Sequence, residues 1–141
     1  MKRSNFQFTN PRVVDLNFNL NRGFRNDPNT KVTFKLDFKV NVHRLEGNEA
    51  IVELTVKSEN NDITPFSFSA TEGAKFNWSD TFNEEETDAL LNVNAPALLL
   101  GYVRPLIASI SSASGFGGYN IPFMDFTQNR EQQHEDTSVQ H

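Results

Sequence analysis

Cysteine is absent from the 141-residue chain. That removes disulfides, thiol nucleophiles and thiolate zinc sites, and it gives no sign of an oxidising compartment. A basic patch is missing as well. The 13 Lys and Arg are outnumbered by 18 Asp and Glu, for a net charge of -5. The nearest approach to a cluster, Lys31, Lys35 and Lys39, is interrupted by Asp37. Nucleic acid calls for a clustered basic face, so it is not expected as a partner. Long apolar runs are lacking too: after Met1-Lys2-Arg3-Ser4-Asn5 no signal-peptide core follows. No stretch approaches the ~18 apolar residues of a membrane span. A cytoplasmic protein without membrane insertion is the expectation.

Catalytic and cofactor signals are equally sparse. His43 follows a strand pattern, whereas His134 and His141 lie in the tail, so no two share metal-ligand spacing. Ser109, Ser111, Ser112 and Ser114 lack a nucleophile elbow and a placed histidine. They suit close helix packing instead. Gly115-Phe116-Gly117-Gly118 is not followed by Gly-Lys-Ser/Thr, so a helix-ending loop is expected in place of a phosphate cradle. Glu84, Glu85, Glu86 and Asp88 read as a solvated helix start with a favourable dipole. No catalytic residue, metal or cofactor is expected, and the chain reads as a binding protein.

What the chain does have is phenylalanine, 13 of them beside one Trp and two Tyr. Such apolar bulk with few polar handles suits packed sheets and greasy binding surfaces. Val32, Phe34, Leu36, Phe38, Val40 and Val42 alternate with polar residues, the mark of a long strand with one buried and one wet face. Such a sheet is antiparallel and covered on one side. Glu46-Gly47-Asn48 signals a turn, and Val52, Leu54 and Val56 should return as the second arm of a hairpin. An earlier strand reads Val14, Leu16, Phe18, Leu20; a fourth lies between Phe66 and Trp78, with Gly73 marking a bulge or bend.

Beyond Asp80 the apolar period lengthens to that of a helix. Asn83 and Glu86 have capping-box spacing for a short helix from about Glu84 to Leu91. A second helix is expected with Pro96 in its first turn, an apolar stripe of Leu98, Leu99, Tyr102, Val103, Leu106 and Ile110, and Gly115 at its end. Pro105 predicts a bend near Arg104. From Thr127 to Asp136 no residue is apolar, so residues 127–141 are expected to be a disordered polar tail after one domain over residues 1–126. Strands followed by helices make the class α+β: a four-stranded antiparallel sheet and two helices.

The last forty residues resemble the SecB family of protein-export chaperones. The family's pattern of a proline, an apolar run and Tyr-x-Arg is met by Pro96, Leu98-Leu99-Leu100, Tyr102 and Arg104. Its closing pattern maps without a gap to Gly115, Phe116, Ile121 and Asp125-Phe126. Phe6-Gln7-Phe8 and Val14-Asp15-Leu16-Asn17-Phe18 resemble the family's first strand, and Phe66-Ser67-Phe68 through Gly73 and Phe76 its fourth. The likeness covers about residues 5 to 126.

The resemblance implies an ATP-independent holdase whose apolar grooves hold unfolded polypeptides and preproteins for the motor SecA. It also implies homo-oligomers: dimers through the sheet, paired into tetramers through the helices. Broad apolar burial, at roughly 25 cal/mol per Å², needs no sequence code in its clients. Phe66, Phe68, Phe76, Trp78, Tyr102, Ile110 and Phe116 are the candidate polypeptide-binding residues, with core or subunit interface as the competing role. Asp15 is the SecA-facing candidate, but the acids that accompany it in the family align with Asn19 and Ser69. The family's proline before the tyrosine is Gly101 here, and its apolar C-terminal helix is replaced by the polar tail. These departures motivate an alternative: a dedicated interaction protein on the same scaffold, such as a chaperone protecting one antitoxin-like partner. A small-molecule binding domain or enzyme is the third and weakest reading, since no catalytic constellation is visible.

Overall fold

The computed structural model describes residues 1–29 and 31–128. Four strands, β1 (Phe6–Leu20), β2 (Leu36–Arg44), β3 (Glu49–Ser58) and β4 (Phe66–Trp78), are followed by α1 (Glu84–Ala89), a π turn (Leu90–Asn94) and α2 (Ala95–Ala113). The strands form one antiparallel sheet in the order β1-β4-β3-β2. The expected hairpin is present in register, with Val42 opposite Val52 and Gly47 in the turn at φ 74. β2 begins at Leu36, four residues later than the alternation from Val32 suggests, and His43 lies inside it opposite Ile51.

Alternation holds best in β3 and β4. Ala50, Val52, Leu54 and Val56, with Phe66, Phe68, Ala70, Phe76 and Trp78, are buried on one face of the sheet. The other face carries polar pairs such as Thr55 and Thr71, whose hydroxyls lie 2.7 Å apart. β1 breaks the alternation. Its pairing with β4 shifts between Thr9 and Arg12 and again between Val13 and Asp15. The first bulge holds Asn10 at φ 53, a conformation asparagine tolerates better than most side chains. The second leaves Val13 opposite Glu72 on the helix side and turns Val14 to the outer face, where its Cγ2 would lie 3.1 Å from a Cβ at Gly73. The bulge expected at Gly73 is therefore in the strand beside it, and the glycine makes room for the displaced valine.

One unbroken helix, Glu84–Ala113, replaces the two expected. Its start is as read. The Asn83 side chain accepts from the Glu86 N–H at 2.8 Å, and Glu86 Oε1 accepts from the Asn83 N–H at 3.2 Å. Pro96 does not open a new helix, because the π turn carries the chain through and lets the proline sit in the first turn of α2. Pro105 does not break α2 either; both it and Gly101, whose carbonyl loses its donor, lie on the exposed side of the helix. Pro96, Leu99, Leu100, Val103, Ile107 and Ser111 face the sheet, whereas Leu98, Leu106 and Ile110 are half-buried and Tyr102 is exposed.

The helix packs mainly on β3 and β4. After Ser114 and Gly115, at φ 89, the chain turns back and lays Tyr119, Ile121 and Phe126 against the same face. Arg104 Nε donates to the Ile121 carbonyl at 2.7 Å, and Phe126 meets the Phe38 ring of β2 edge-on at 6.3 Å. Residues 127–141 were expected to be a disordered tail; of these, 129–141 lie outside the described residues. Among the described residues one helix, Glu84–Ala113, is long and apolar enough to cross a membrane by length and composition, although the sequence shows no unbroken apolar run of that size.

Candidate polypeptide-binding site

Six of the seven candidate residues fall into two aromatic groups toward opposite ends of β4, whose nearest members on the strand, Phe68 and Phe76, are about 26 Å apart at ~3.3 Å per strand residue. At the far end, Phe6 stacks on Phe76 at 5.3 Å, Phe8 meets Tyr102 edge-on at 6.2 Å, and the Arg44 guanidinium lies 5.6 Å over Trp78. Arg44 is held there by Glu84 at 2.7 Å. Phe76 and Trp78 are buried, at 1% and 9% exposure, so Tyr102 is the accessible member of that group. Ile110 is half-buried on α2 between the groups.

At the near end a cleft of about 560 Å³ opens between the loop before β2 and the glycine-rich turn after α2. Phe24, Val32, Phe34, Phe66, Phe116 and Tyr119 give it apolar walls, and Lys31 stands at its rim. Phe24 and Phe116 meet edge-on at 5.6 Å, while Phe34 packs 4.9 Å from Phe66 and 4.4 Å from Tyr119. Phe66 and Phe68 are core residues at 2% and 3% exposure, whereas Phe116 is 47% exposed. A second cleft of about 230 Å³ continues past Phe24 and Val32 to Arg25, Asp62 and Ile63.

Ser111, behind the lining, holds the Tyr119 wall in place. Its hydroxyl, fully buried, donates to the Ile107 carbonyl at 2.6 Å and accepts from the Tyr119 N–H at 2.7 Å. Gly118 makes that approach possible, since a Cβ there would sit 2.7 Å from Ser112 Oγ. Burial pushes the Tyr119 hydroxyl above its ordinary range. Phe24, Val32, Phe34 and Tyr119 were not singled out from the sequence. Phe34 and Val32 read there as inward-facing strand residues, and only the crowding of phenylalanines near two glycine-marked turns hinted at them.

Asp15 lies exposed on the outer face opposite Thr71. Beside it stand Asn17, opposite Ser69, and Asn19, whose amide donates to Asn17 Oδ1 at 2.7 Å. The strip carries one acid among neutral side chains. No group of three or more metal-ligating side chains occurs among the described residues.

A four-stranded antiparallel sheet backed by one long helix, with an aromatic cleft where that helix turns back, defines the SecB-like class of α+β subunit. A family model described as preprotein translocase subunit SecB matches residues 3–137, and the chain belongs to that family. Among solved structures it resembles the Mycobacterium tuberculosis Rv1957 SecB-like chaperone, in complex with a ChAD peptide from the Rv1956 HigA1 antitoxin. That likeness has TM-score 0.69 and 14% identity, covering 85% of this chain and 91% of that one. At such identity it speaks for the fold. A protein of unknown function from Streptococcus agalactiae aligns with TM-score 0.46 at 15% identity, over 86% of this chain and 100% of that one, too loosely to carry an argument. No curated protein matches the chain.

Proposed function

We propose that this protein is an ATP-independent cytoplasmic chaperone that holds unfolded polypeptides, preproteins for export among them, and works as a homodimer or homotetramer. The observation that carries the reading is the aromatic cleft, with Phe116 left 47% exposed on its wall. Aromatic walls bind by non-directional burial, and about 560 Å³ admits one or two bulky side chains of an extended client at a time. Phe66 and Phe68 act as the floor that holds this wall in place. Tyr102 offers a second, smaller foothold at the other end of the subunit.

The test is suppression of aggregation of a chemically unfolded client at stoichiometric ratio, without nucleotide. Protection lost in Phe24→Ala and Phe116→Ala supports the cleft. No protection by the wild type at several-fold excess overturns the reading.

The neutral strip around Asp15 favours a second reading, a chaperone dedicated to one partner and independent of SecA. The M. tuberculosis neighbour is a SecB-like chaperone in complex with an antitoxin peptide, which fits the same idea. Affinity capture that returns one stoichiometric partner favours this alternative; a spectrum of unfolded chains, together with SecA binding abolished by Asp15→Asn, favours the general export role.

A further inference from the structure

Lys31 is the one charged side chain among the described residues that line the cleft of about 560 Å³. It is exposed, and it has no ion pair or hydrogen bond among the described residues. Asn26 and Thr33 line the same cleft, and their side chains make no hydrogen bond among the described residues either. The loop before β2 thus brings a free cation and two polar groups to a cleft whose other walls, Phe66, Phe116 and Tyr119, are apolar.

The acids of the neighbourhood stand elsewhere. Asp27 and Asp62 line the second cleft, beyond Phe24 and Val32, and share it with Arg25. Asp27 also accepts from the Asn29 N–H at 2.9 Å. The end of α2 from Leu106 to Ala113 and the glycine-rich turn after it carry no charge. The chain as a whole is acidic, at -5, but that field fades over a Debye length of about 8–10 Å in physiological salt. An occupant of the first cleft therefore touches one cation and no acid.

We propose that this cleft selects extended polypeptides in which a bulky apolar or aromatic residue is flanked by Asp or Glu, with Lys31 as the specificity-determining residue. The inference rests on the client-binding reading above and adds which clients the cleft prefers. An aromatic side chain buried between Phe116 and Phe34 fixes the client's register. In an extended chain the next residues follow at ~3.3 Å each, so a carboxylate one or two positions away comes within reach of a flexible lysine stem. The client also covers one side of the ammonium, which strengthens its attraction to a carboxylate over that of an open surface pair. A Lys or Arg in the same position meets a like charge, so the cleft discriminates by repulsion as well as attraction.

The test is a fluorescence anisotropy titration of the full chain with three short Gly/Ser peptides carrying a central Trp flanked by Glu, by Gln or by Lys. Lys31 is exposed on a loop, so Lys31→Gln and Lys31→Glu should fold as the wild type does. The wild type is expected to bind the Glu peptide about two- to fivefold more tightly than the Gln peptide, and the Lys peptide least, with the spread narrowing at high salt. Lys31→Gln should level the three, and Lys31→Glu should reverse their order. Equal binding of all three to the wild type, or an order that survives in Lys31→Glu, overturns the selectivity and leaves client binding standing. No binding of any peptide, or binding that Phe116→Ala does not weaken, overturns the cleft and its selectivity together.

Discussion

Thr71 and Glu72 are chain neighbours on opposite faces of β4, and their fates differ accordingly. Thr71 shares a hydroxyl hydrogen bond with Thr55, whereas Glu72 is set among apolar side chains. Since burial raises the Glu72 pKa, the folded chain holds the carboxyl proton more tightly than the unfolded one. Its stabilising effect is complete at low pH and is lost as pH rises through the folded value. Glu72→Gln should therefore stabilise the fold by about 1 kcal/mol at neutral pH, with the gain vanishing in acid, as urea unfolding at several pH values will show. The cleft divides in the same way between support and contact. Phe66→Ala, at a fully packed site, should cost about 3–5 kcal/mol of stability. Phe116→Ala should cost less than about 1 kcal/mol while weakening client binding several-fold, read by denaturation and by titration with an unfolded polypeptide. Sequence pattern alone did not separate these two phenylalanines. Both sit beside turns, and only the fold decides which one the helix covers.

At the level of elements, what could be read depended on how local the cause was. The capping box of Asn83 and Glu86, the β2–β3 turn at Gly47 and the helix end at Gly115 are set by neighbouring residues, and all were legible. The β1 bulges were not, because the displacement of Val14 is relieved by Gly73, about sixty residues away in sequence. The joining of the helices was missed for a related reason. Pro96 reads as a start signal, but an N–H-less residue is tolerated equally well just after a π turn. The turn after α2 depends on close approach of backbone to backbone. Gly118→Ala would place a methyl 2.7 Å from Ser112 Oγ and 3.2 Å from the Ala108 carbonyl, so it should loosen the Tyr119–Ile121 segment and cost about 1–3 kcal/mol. Faster amide exchange at Tyr119, whose N–H bonds to Ser111, would report this before global unfolding does.

Over the whole molecule, the apolar cover is unequal: β2 to β4 lie under the helix and the returning chain, while much of the inner face of β1 is left bare. Only 33% of the most apolar stretch of Glu84–Ala113 is buried within the subunit; Leu98, Leu106 and Ile110 are half-buried, and Tyr102 is the exposed large apolar side chain of that helix. The acidic first turn, the Arg44 clamp and the cleft at the other end all hang on the phase of that one helix. Its phase is carried across the π turn Leu90–Asn94, which holds one residue more than a regular α-turn accepts. Removing a single residue there, such as exposed Asn94, should heal the turn into regular α-helix and leave Glu84–Ala89 in the same phase relative to α2, because the wide turn and the α turn both close one full rotation. Glu84 should then keep Arg44, and Trp78 its cover, so tryptophan fluorescence should stay as in the wild type, whereas deleting exposed Ala97 from the regular helix should turn Glu84 away by about 100° and change it. One amino acid more than the rod needs is thus taken up in a single wide turn, and the two ends of this protein stay in step in spite of it.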